Sequence, residues 1–206
     1  MKRHIPAIER NRGLLSDVLR EVLPSEGTLL EVDSIPGKLS TFSGLRYFFP
    51  GLTLQFASAD PEVLADIETR RVQEGHANIL PSPLLDPSSD TWPVTHADAI
   101  LCVYMIDRAP WEACQGLMRG AGRVLRPGGP LVLYGPFLVE GVETPRNRTL
   151  DESLRSRDLS HGVRELEAVI EEAARHGLQC ERVAENPMEN FTVVFRREGL
   201  PPGRRG

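Results

Sequence analysis

Two nearly continuous apolar runs constrain the fold of this chain most strongly. Residues 97–104 and 130–135 contain almost no charged side chains, which is typical of parallel strands that are buried on both faces of a sheet. Residues 110–125 between them predict a helix, and parallel neighbours need such a crossover connection. The pattern therefore predicts an α/β fold with helices on both faces of the sheet.

The same signals extend along the chain. Helices are predicted over residues 7–23, 39–49, 61–74, 110–125, 149–157 and 163–176, and strands over residues 27–32, 52–57, 78–80, 97–104, 130–135, 178–184 and 191–197. We therefore expect a doubly wound, mostly parallel seven-stranded sheet with a terminal antiparallel β hairpin. It should form a single domain over residues 1–198, with the first helix as a lid and residues 199–206 as a flexible tail.

Composition excludes several classes of function. The chain has 24 Lys and Arg against 29 Asp and Glu, and its formal charge of −5 offers no general attraction for nucleic acids or anionic membranes. No run reaches the roughly 18 apolar residues that span a bilayer, and the first residues lack an apolar secretion core. We expect a cytoplasmic protein whose partner is a small molecule, and a homodimer is compatible with the sequence.

Metal, hydrolase and nucleotide triphosphatase sites lack their usual residues. The histidines show no HxH or HxxxH spacing and the cysteines no CxxC spacing, so no metal site is expected. Neither a G-x-S-x-G elbow nor a Walker loop is present. In an open α/β sheet, a ligand is expected beyond the carboxyl ends of the strands, which here means residues 33–38, 58–60, 85–87, 104–109 and 135–147.

Several short motifs sharpen this expectation. Residues 123–129 (RVLRPGG), just before a strand, are similar to a motif of the class I S-adenosylmethionine-dependent methyltransferases. Residues 9–11 (ERN), 110–112 (PWE), 133–137 (LYGPF) and 151–158 (DESLRSRD) further resemble a small methyltransferase-like family of uncharacterised function. The resemblance covers almost the whole chain and implies a methyltransferase-like Rossmann fold.

The resemblance also implies where S-adenosylmethionine would bind. Positions that match the family pattern are Glu31 and Gly37 in the first loop and Asp86 near the adenine amine, and Asp60 stands two residues after the position of the acid near the ribose. A carboxylate suits these last two places because it accepts hydrogen bonds from hydroxyl and amine groups.

The same region departs from the family pattern. Ile35 adds a branched side chain, and Pro36 removes a backbone donor, where the cofactor needs close approach of the backbone. Ser58 stands at the matching position of the ribose acid, and residues 104–107 (YMID) replace a run with Asn and His. We therefore predict that no cofactor is used. The scaffold would serve S-adenosylmethionine-independent small-molecule chemistry, such as isomerisation, cyclisation or elimination in a biosynthetic pathway.

Such chemistry needs a base and a hydrogen-bond donor near the strand ends. The catalytic candidates are Asp33, Tyr104, Asp107 and Tyr134. Substrate binding is predicted for a second set, which comprises Arg10, Asn11, Met105, Trp111, Phe137, Arg146 and Asn147. Each candidate also has a structural alternative, such as a capping or solvated charge, or an aromatic ring that fills space.

Two other functions remain open. The chain could be an active S-adenosylmethionine-dependent small-molecule methyltransferase in which Asp60 and Asp86 hold the adenosine. It could also be a non-catalytic pseudoenzyme or binding protein.

Overall fold

The fold is described here from a computed structural model. Its described residues are 7–33, 49–75 and 77–199, with side chains described from residue 14 onward except that of Glu74. The predicted helix over residues 39–49 and the predicted tail over residues 200–206 lie outside these residues.

Five α-helices and seven strands alternate along the described chain. In chain order they are α1 (Ala7–Val22), β1 (Gly27–Val32), β2 (Leu52–Ala57), α2 (Pro61–Glu74), β3 (Ala99–Val103), α3 (Trp111–Val124), β4 (Pro130–Leu138), α4 (Pro145–Arg155), β5 (Arg164–Glu165), α5 (Leu166–Arg175), β6 (Leu178–Asn186) and β7 (Asn190–Arg197). A short 3-10 turn, Pro187–Glu189, joins β6 to β7.

The sheet has the strand order β2-β1-β3-β4-β7-β6, with β5 beside the end of β4. β1 pairs in parallel with both β2 and β3, and β3 pairs in parallel with β4. β7 runs antiparallel between β4 and β6. The prediction of a mostly parallel seven-stranded sheet with a terminal antiparallel hairpin is therefore confirmed.

One predicted strand is absent, and another takes its place in the count. Residues 78–80 make only one parallel bridge, between Ile79 and Leu54. Pro81 follows directly and has no N–H to extend a ladder, which explains why pairing stops there. The seventh strand is β5, whose Arg164 and Glu165 pair with Phe137 and Leu138 of β4.

Two boundaries near the end of β4 also differ from the prediction. β4 continues to Leu138, beyond the predicted end at residue 135. α4 begins at Pro145 rather than at residue 149, because Thr144 accepts a hydrogen bond from the amide of Asn147 and caps the helix with Pro145 as its first residue.

The core consists of two apolar layers, one on each face of the sheet. Side chains alternate along each central strand, so that Leu30 and Ile100 pack with α3 and α5, while Leu29 and Leu101 pack with α1 and α2. All five residues of β3 are buried. Each fully buried aliphatic side chain of this kind contributes about 1.5–3 kcal/mol to folding.

The first helix is partly a core element. Leu15, Val18, Leu19 and Val22 of α1 are buried against the sheet, so this half of the helix belongs to the core. The side chains of the first two turns, residues 7–13, lie outside the described ones, and the predicted lid over residues 7–23 stays a prediction. None of the helices in the described ranges is both long and apolar enough to cross a bilayer.

A buried carboxylate joins polar groups at the end of α5. Glu172 is only 4% exposed; Nη1 of Arg175 donates to its carboxylate at 2.7 Å, and Nε2 of His176 lies 3.0 Å from it. Burial alone would raise the pKa of Glu172, but hydrogen bonds from His176, Arg175 and Gln115 outweigh it and lower the pKa.

We expect Glu172→Gln to lower the free energy of unfolding by about 1–3 kcal/mol at neutral pH, because it weakens hydrogen bonds to a buried charge. A carboxyl group whose pKa is lower in the folded than in the unfolded protein stabilises the fold at pH values above the unfolded pKa. This stabilisation is lost as the pH falls through the folded pKa. The difference from wild type should therefore shrink in acid. Urea unfolding at several pH values measures it, with Glu171→Gln on the exposed side of α5 as the control. Equal losses for both variants would contradict this role.

Candidate functional site

Backbone strain marks the carboxyl edge of the sheet. Five non-glycine residues in the described ranges have positive φ, and all five lie at this edge: Asp33, Tyr104, Glu140, Met188 and Glu189. Asp33 directly follows β1 with φ 58°, and Tyr104 directly follows β3 with φ 55°. A left-handed backbone is costly for a bulky residue such as tyrosine, and such strain tends to collect at functional sites.

An open cavity of about 530 Å³ lies at the same edge. In the sheet, β1 and β3 are neighbours, and the chain continues from β1 to β2 on one side but from β3 to β4 on the other, which opens the crevice typical of ligand sites in such sheets. The described residues that line the cavity are Asp33, Ala59, Asp86, Pro87, Ser88, Met105, Arg108, Ala109, Pro110, Glu112 and Ala113. The expected loops after β1, β2 and β3 are thus brought together, with residues 86–88 beside them.

Asp86 is held at the cavity by backbone pairing and by its own turn. The amide of Leu85 donates to the carbonyl of Ser58 at 2.9 Å, which ties this segment to the end of β2. Oδ1 of Asp86 accepts hydrogen bonds from the amide and the hydroxyl of Ser88, at 2.8 and 2.7 Å. This Asx turn orients the carboxyl group at the rim.

Two glycines of α3 form a groove that seats the same segment. A Cβ at Gly116 would overlap the carbonyl of Pro87, and a Cβ at Gly120 would overlap the ring of Trp92. Beside them, Nη2 of Arg119 donates to the carbonyl of Ser88 at 3.1 Å. The close approach of α3 therefore fixes the loop that carries Asp86.

Asp33 and Arg108 are the charged pair in the wall. Burial raises the pKa of Asp33 above its ordinary value of 3.8, Arg108 opposes the shift, and Asp60 adds to it. A carboxyl group with this environment is a candidate for binding or acid/base chemistry.

Two tyrosines stand side by side on the neighbouring strand ends. The rings of Tyr104 and Tyr134 meet edge to face with centroids 5.4 Å apart, and the amide of Tyr104 donates to the carbonyl of Tyr134 at 2.8 Å. The guanidinium of Arg108 lies 5.6 Å from the centre of the Tyr104 ring. Burial raises the pKa of both phenols, so they are hydrogen-bond donors rather than bases at neutral pH.

Asp107 lies close to these groups. It is 4% exposed, and its carboxylate is 3.8 Å from Nε of Arg108. It borders a second, water-sized cavity of about 10 Å³ together with Met105 and Gly135. The structure thus brings the four catalytic candidates to one edge, and their catalytic roles stay predictions.

Two predicted cofactor residues are placed differently from expectation. Asp60 is the N-cap of α2 and accepts from the amide of Glu62 at 2.8 Å, so it lies beside the cavity rather than in its wall. Glu31 is a buried side chain within β1. Gly37 lies outside the described residues.

The predicted substrate residues also divide. Met105 is in the cavity wall, whereas Phe137 packs in the core against Phe191. Asn147 is buried and donates to the carbonyl of Phe137 at 3.2 Å, which is a structural role. Trp111 packs against the core at the start of α3.

Burial raises the pKa of Tyr104, and the positive charge of Arg146, an exposed residue, is one of the influences that oppose this shift. The side chains of Arg10 and Asn11 are not among those described. The expected ligand loop at residues 104–109 includes Arg108 and Ala109, but neither they nor Ala113 is among the individual candidates from the sequence. Only the position of Arg108 beside Asp107 at a strand end could have drawn attention to it. Within the described residues, no group of three or more His, Cys, Asp or Glu side chains could hold a metal ion.

Comparison with known proteins assigns the chain to a family. Residues 2–197 match the family described as "Protein of unknown function (DUF938)". The chain belongs to the DUF938 family. This agrees with the uncharacterised methyltransferase-like family that the sequence motifs indicate.

Solved structures with a similar fold include proteins described as methyltransferases. A "putative sarcosine dimethylglycine methyltransferase" from Galdieria sulphuraria superposes with a TM-score of 0.72 at 15% identity, over 92% of this chain and 86% of that one. The mitomycin 7-O-methyltransferase MmcR gives 0.69 at 19% identity, over 91% and 53%. PigF, solved with SAH (S-adenosylhomocysteine), gives 0.71 at 17% identity, over 86% and 52%. The DUF938 chain therefore has the class I methyltransferase fold.

We expect Gly116→Ala to lower the free energy of unfolding by about 1–3 kcal/mol, because the new methyl group must displace the backbone at Pro87. Chemical denaturation measures the loss. Gly135→Ala is the matched control, since its Cβ would lie 3.7 Å from Tyr104 in ordinary contact and should change stability by less than about 0.5 kcal/mol. If both variants were equally stable, the groove would not be tight.

Proposed function

We propose that this DUF938 protein is an S-adenosylmethionine-dependent methyltransferase that acts on a small molecule. The observation that carries the proposal is the cavity of about 530 Å³ at the carboxyl ends of β1, β2 and β3. Small-molecule sites in proteins have volumes of about 300–1,000 Å³ and occur preferentially at this position in α/β sheets.

The charges around the cavity suit this cofactor. S-adenosylmethionine carries a sulfonium and an ammonium group against one carboxylate, so it has a net positive charge. The described wall holds three acids, Asp33, Asp86 and Glu112, against the single cation Arg108. Met105, Ala109 and Ala113 supply apolar surface for a planar base. The described residues therefore fit the cofactor in charge and in polarity.

Three of the charged wall residues, and the tyrosines and Asp107 on the neighbouring strand ends, each have a proposed task. Asp86 would accept from the adenine amine, and Asp33 from the hydroxyl or ammonium groups of the cofactor. Arg108 would face its carboxylate. The cofactor itself supplies an electrophilic methyl group. Tyr104 and Tyr134 would donate hydrogen bonds to the acceptor molecule, and Asp107 would receive its proton.

This proposal replaces cofactor-independent chemistry as the preferred interpretation. The departures at Ile35 and Pro36 lie outside the described residues, and the described wall of the cavity keeps Asp86, one of the acids expected for the cofactor. Ser58 stands where the family pattern has the acid near the ribose. Asp60, which caps α2, stands near Asp33 and partly offsets this loss. The similar structures, among them a methyltransferase and a protein solved with S-adenosylhomocysteine, favour methyl transfer from S-adenosylmethionine over isomerisation or cyclisation.

Titration calorimetry tests the proposal directly. We expect wild-type protein to bind S-adenosylmethionine and S-adenosylhomocysteine with dissociation constants of about 1–100 µM, within the ordinary range for enzyme substrates. Asp86→Asn should weaken both by about tenfold, because it replaces a charged acceptor at the cavity.

Asp66→Asn is the control for this experiment. Asp66 is an exposed acid on α2 that pairs with Arg70, and its loss should leave the affinity unchanged. Absence of binding to wild type at millimolar cofactor would reject the proposal. Binding that is insensitive to Asp86→Asn would move the adenosine elsewhere.

Cofactor binding should also depend on pH through Asp33. Because burial raises the pKa of Asp33, its carboxylate takes up a proton at a higher pH than an ordinary aspartate. The protonated group no longer attracts a cation, so affinity for S-adenosylmethionine should fall as pH decreases towards this raised pKa. Calorimetry between about pH 5 and 8 should show a weaker and flatter profile for Asp33→Asn. Asp86→Asn should keep the slope, and an unchanged slope in Asp33→Asn would exclude Asp33 as its source.

A further inference from the structure

The DESLRSRD motif at residues 151–158 contributes no residue to the cavity wall. We propose that it acts on the site from a distance. It builds a turn, residues 158–164, that holds residues 105–109 in shape, with Arg164 as the positioning residue. We call residues 158–164 the support turn and residues 105–109 the cofactor loop. The inference rests on the proposed function, because the cofactor loop matters only if the cavity binds a ligand.

The support turn binds three carbonyl groups of the cofactor loop. Nε of Arg164 donates to the carbonyl of Ile106 at 3.3 Å, and its Nη2 donates to that of Ala109 at 2.7 Å. Between them, the amide of Gly162 donates to the carbonyl of Asp107 at 3.0 Å. A five-residue loop is thus fixed on one side by a single neighbouring segment.

The other side of the same loop faces the cavity. Met105, Arg108 and Ala109 line the wall, and one short backbone hydrogen bond, from Arg108 to Met105 at 2.9 Å, closes the loop on itself. A change in the backbone at Ile106 or Asp107 would therefore move wall residues. Small displacements of positioning groups are costly for binding and catalysis.

The last acid of the motif, Asp158, shapes the start of the support turn. Oδ1 of Asp158 accepts from the amide and the hydroxyl of Ser160, at 2.8 and 2.6 Å. The carbonyl of Ser160 in turn accepts from Nη2 of Arg164 at 2.6 Å. Asp158 therefore places the carbonyl that orients the guanidinium.

The first acid of the motif shapes the end of the turn. Oδ1 of Asp151 accepts from the amide of Val163 at 2.9 Å, and Oδ2 accepts from Nε of Arg155 at 2.6 Å. Gly162 lies against this pair with φ 153°, and a Cβ there would stand 2.6 Å from Oδ1 of Asp151. Only glycine fits at this position, and its amide can then donate to the carbonyl of Asp107.

The support turn is in turn anchored to the sheet. Arg164 pairs with Phe137 through the short strand β5, so its backbone is fixed while its planar guanidinium spans two carbonyls of the loop. A lysine would keep the charge but lacks this fork of donors. The shape of the side chain matters here more than its charge.

The test compares Arg164→Ala and Arg164→Lys with wild type. We expect each to weaken binding of S-adenosylhomocysteine by about tenfold in calorimetry, because the loop loses two hydrogen bonds from a charged donor. Amide hydrogen exchange over residues 104–110 should become faster. Added ethylguanidinium should restore affinity to Arg164→Ala, an effect that a general loss of stability would not show.

Arg148→Ala is the matched control, because Arg148 also lies on the motif's helix but pairs with Glu143, away from the loop. It should change neither affinity nor exchange. Asp158→Asn should shift both in the direction of Arg164→Ala. If Arg164→Ala does not fold, Arg164→Lys carries the comparison.

The outcomes separate this inference from the proposed function. If wild type binds neither S-adenosylmethionine nor S-adenosylhomocysteine, the proposed function fails, and the inference that the motif serves this cofactor falls with it, whatever the exchange rates show. If wild type binds but the Arg164 variants match it in affinity and in exchange at residues 104–110, the inference is overturned while the proposed function stands.

Discussion

The parallel pairing of β1, β3 and β4, buried on both faces, is the constraint on which the rest of the structure depends. Strands that face apolar layers on both sides need helices above and below them, and parallel order needs each connection to cross from one end of the sheet to the other. The carboxyl ends of β1, β2 and β3 consequently meet at one edge. The cavity follows from this topology before any particular side chain is considered.

The same rigid sheet supports strain at its edge. Asp33 and Tyr104 each leave a buried strand in a left-handed backbone conformation, which costs on the order of 1–3 kcal/mol where a side chain is present. Of the residues that precede them, Val32 is paired on both sides, with Ala57 and Cys102, and Val103 is paired with Tyr134. Strand pairing fixes the start of each loop. The turn must therefore be sharp, and the side chains lie along the edge of the sheet.

The sequence predicts the strands well because burial on both faces leaves a long apolar signature, as in β3. It fails at residues 78–80, where Ile79 occupies the place of a strand but Pro81 prevents further pairing. At the site, position directly after a predicted strand is enough to find Asp33, whereas Asp86 is found through the resemblance to the methyltransferase-like family. Asp60 is a ribose candidate only because it stands two residues after Ser58, and the structure shows it as the cap of α2. Arg164 could not be found from any local pattern, since its partners are more than 50 residues away.

The position of β7 has a consequence for how the chain folds. β7 lies between β4 and β6, so β4 remains an open, strongly apolar edge until residues 190–197 have been synthesised. Unpaired apolar edges invite pairing with other chains. The sheet cannot close locally, because β4 and β7 are separated by α4, α5 and β6. During synthesis, the segment that completes the core is therefore also the one that protects the nascent protein from aggregation.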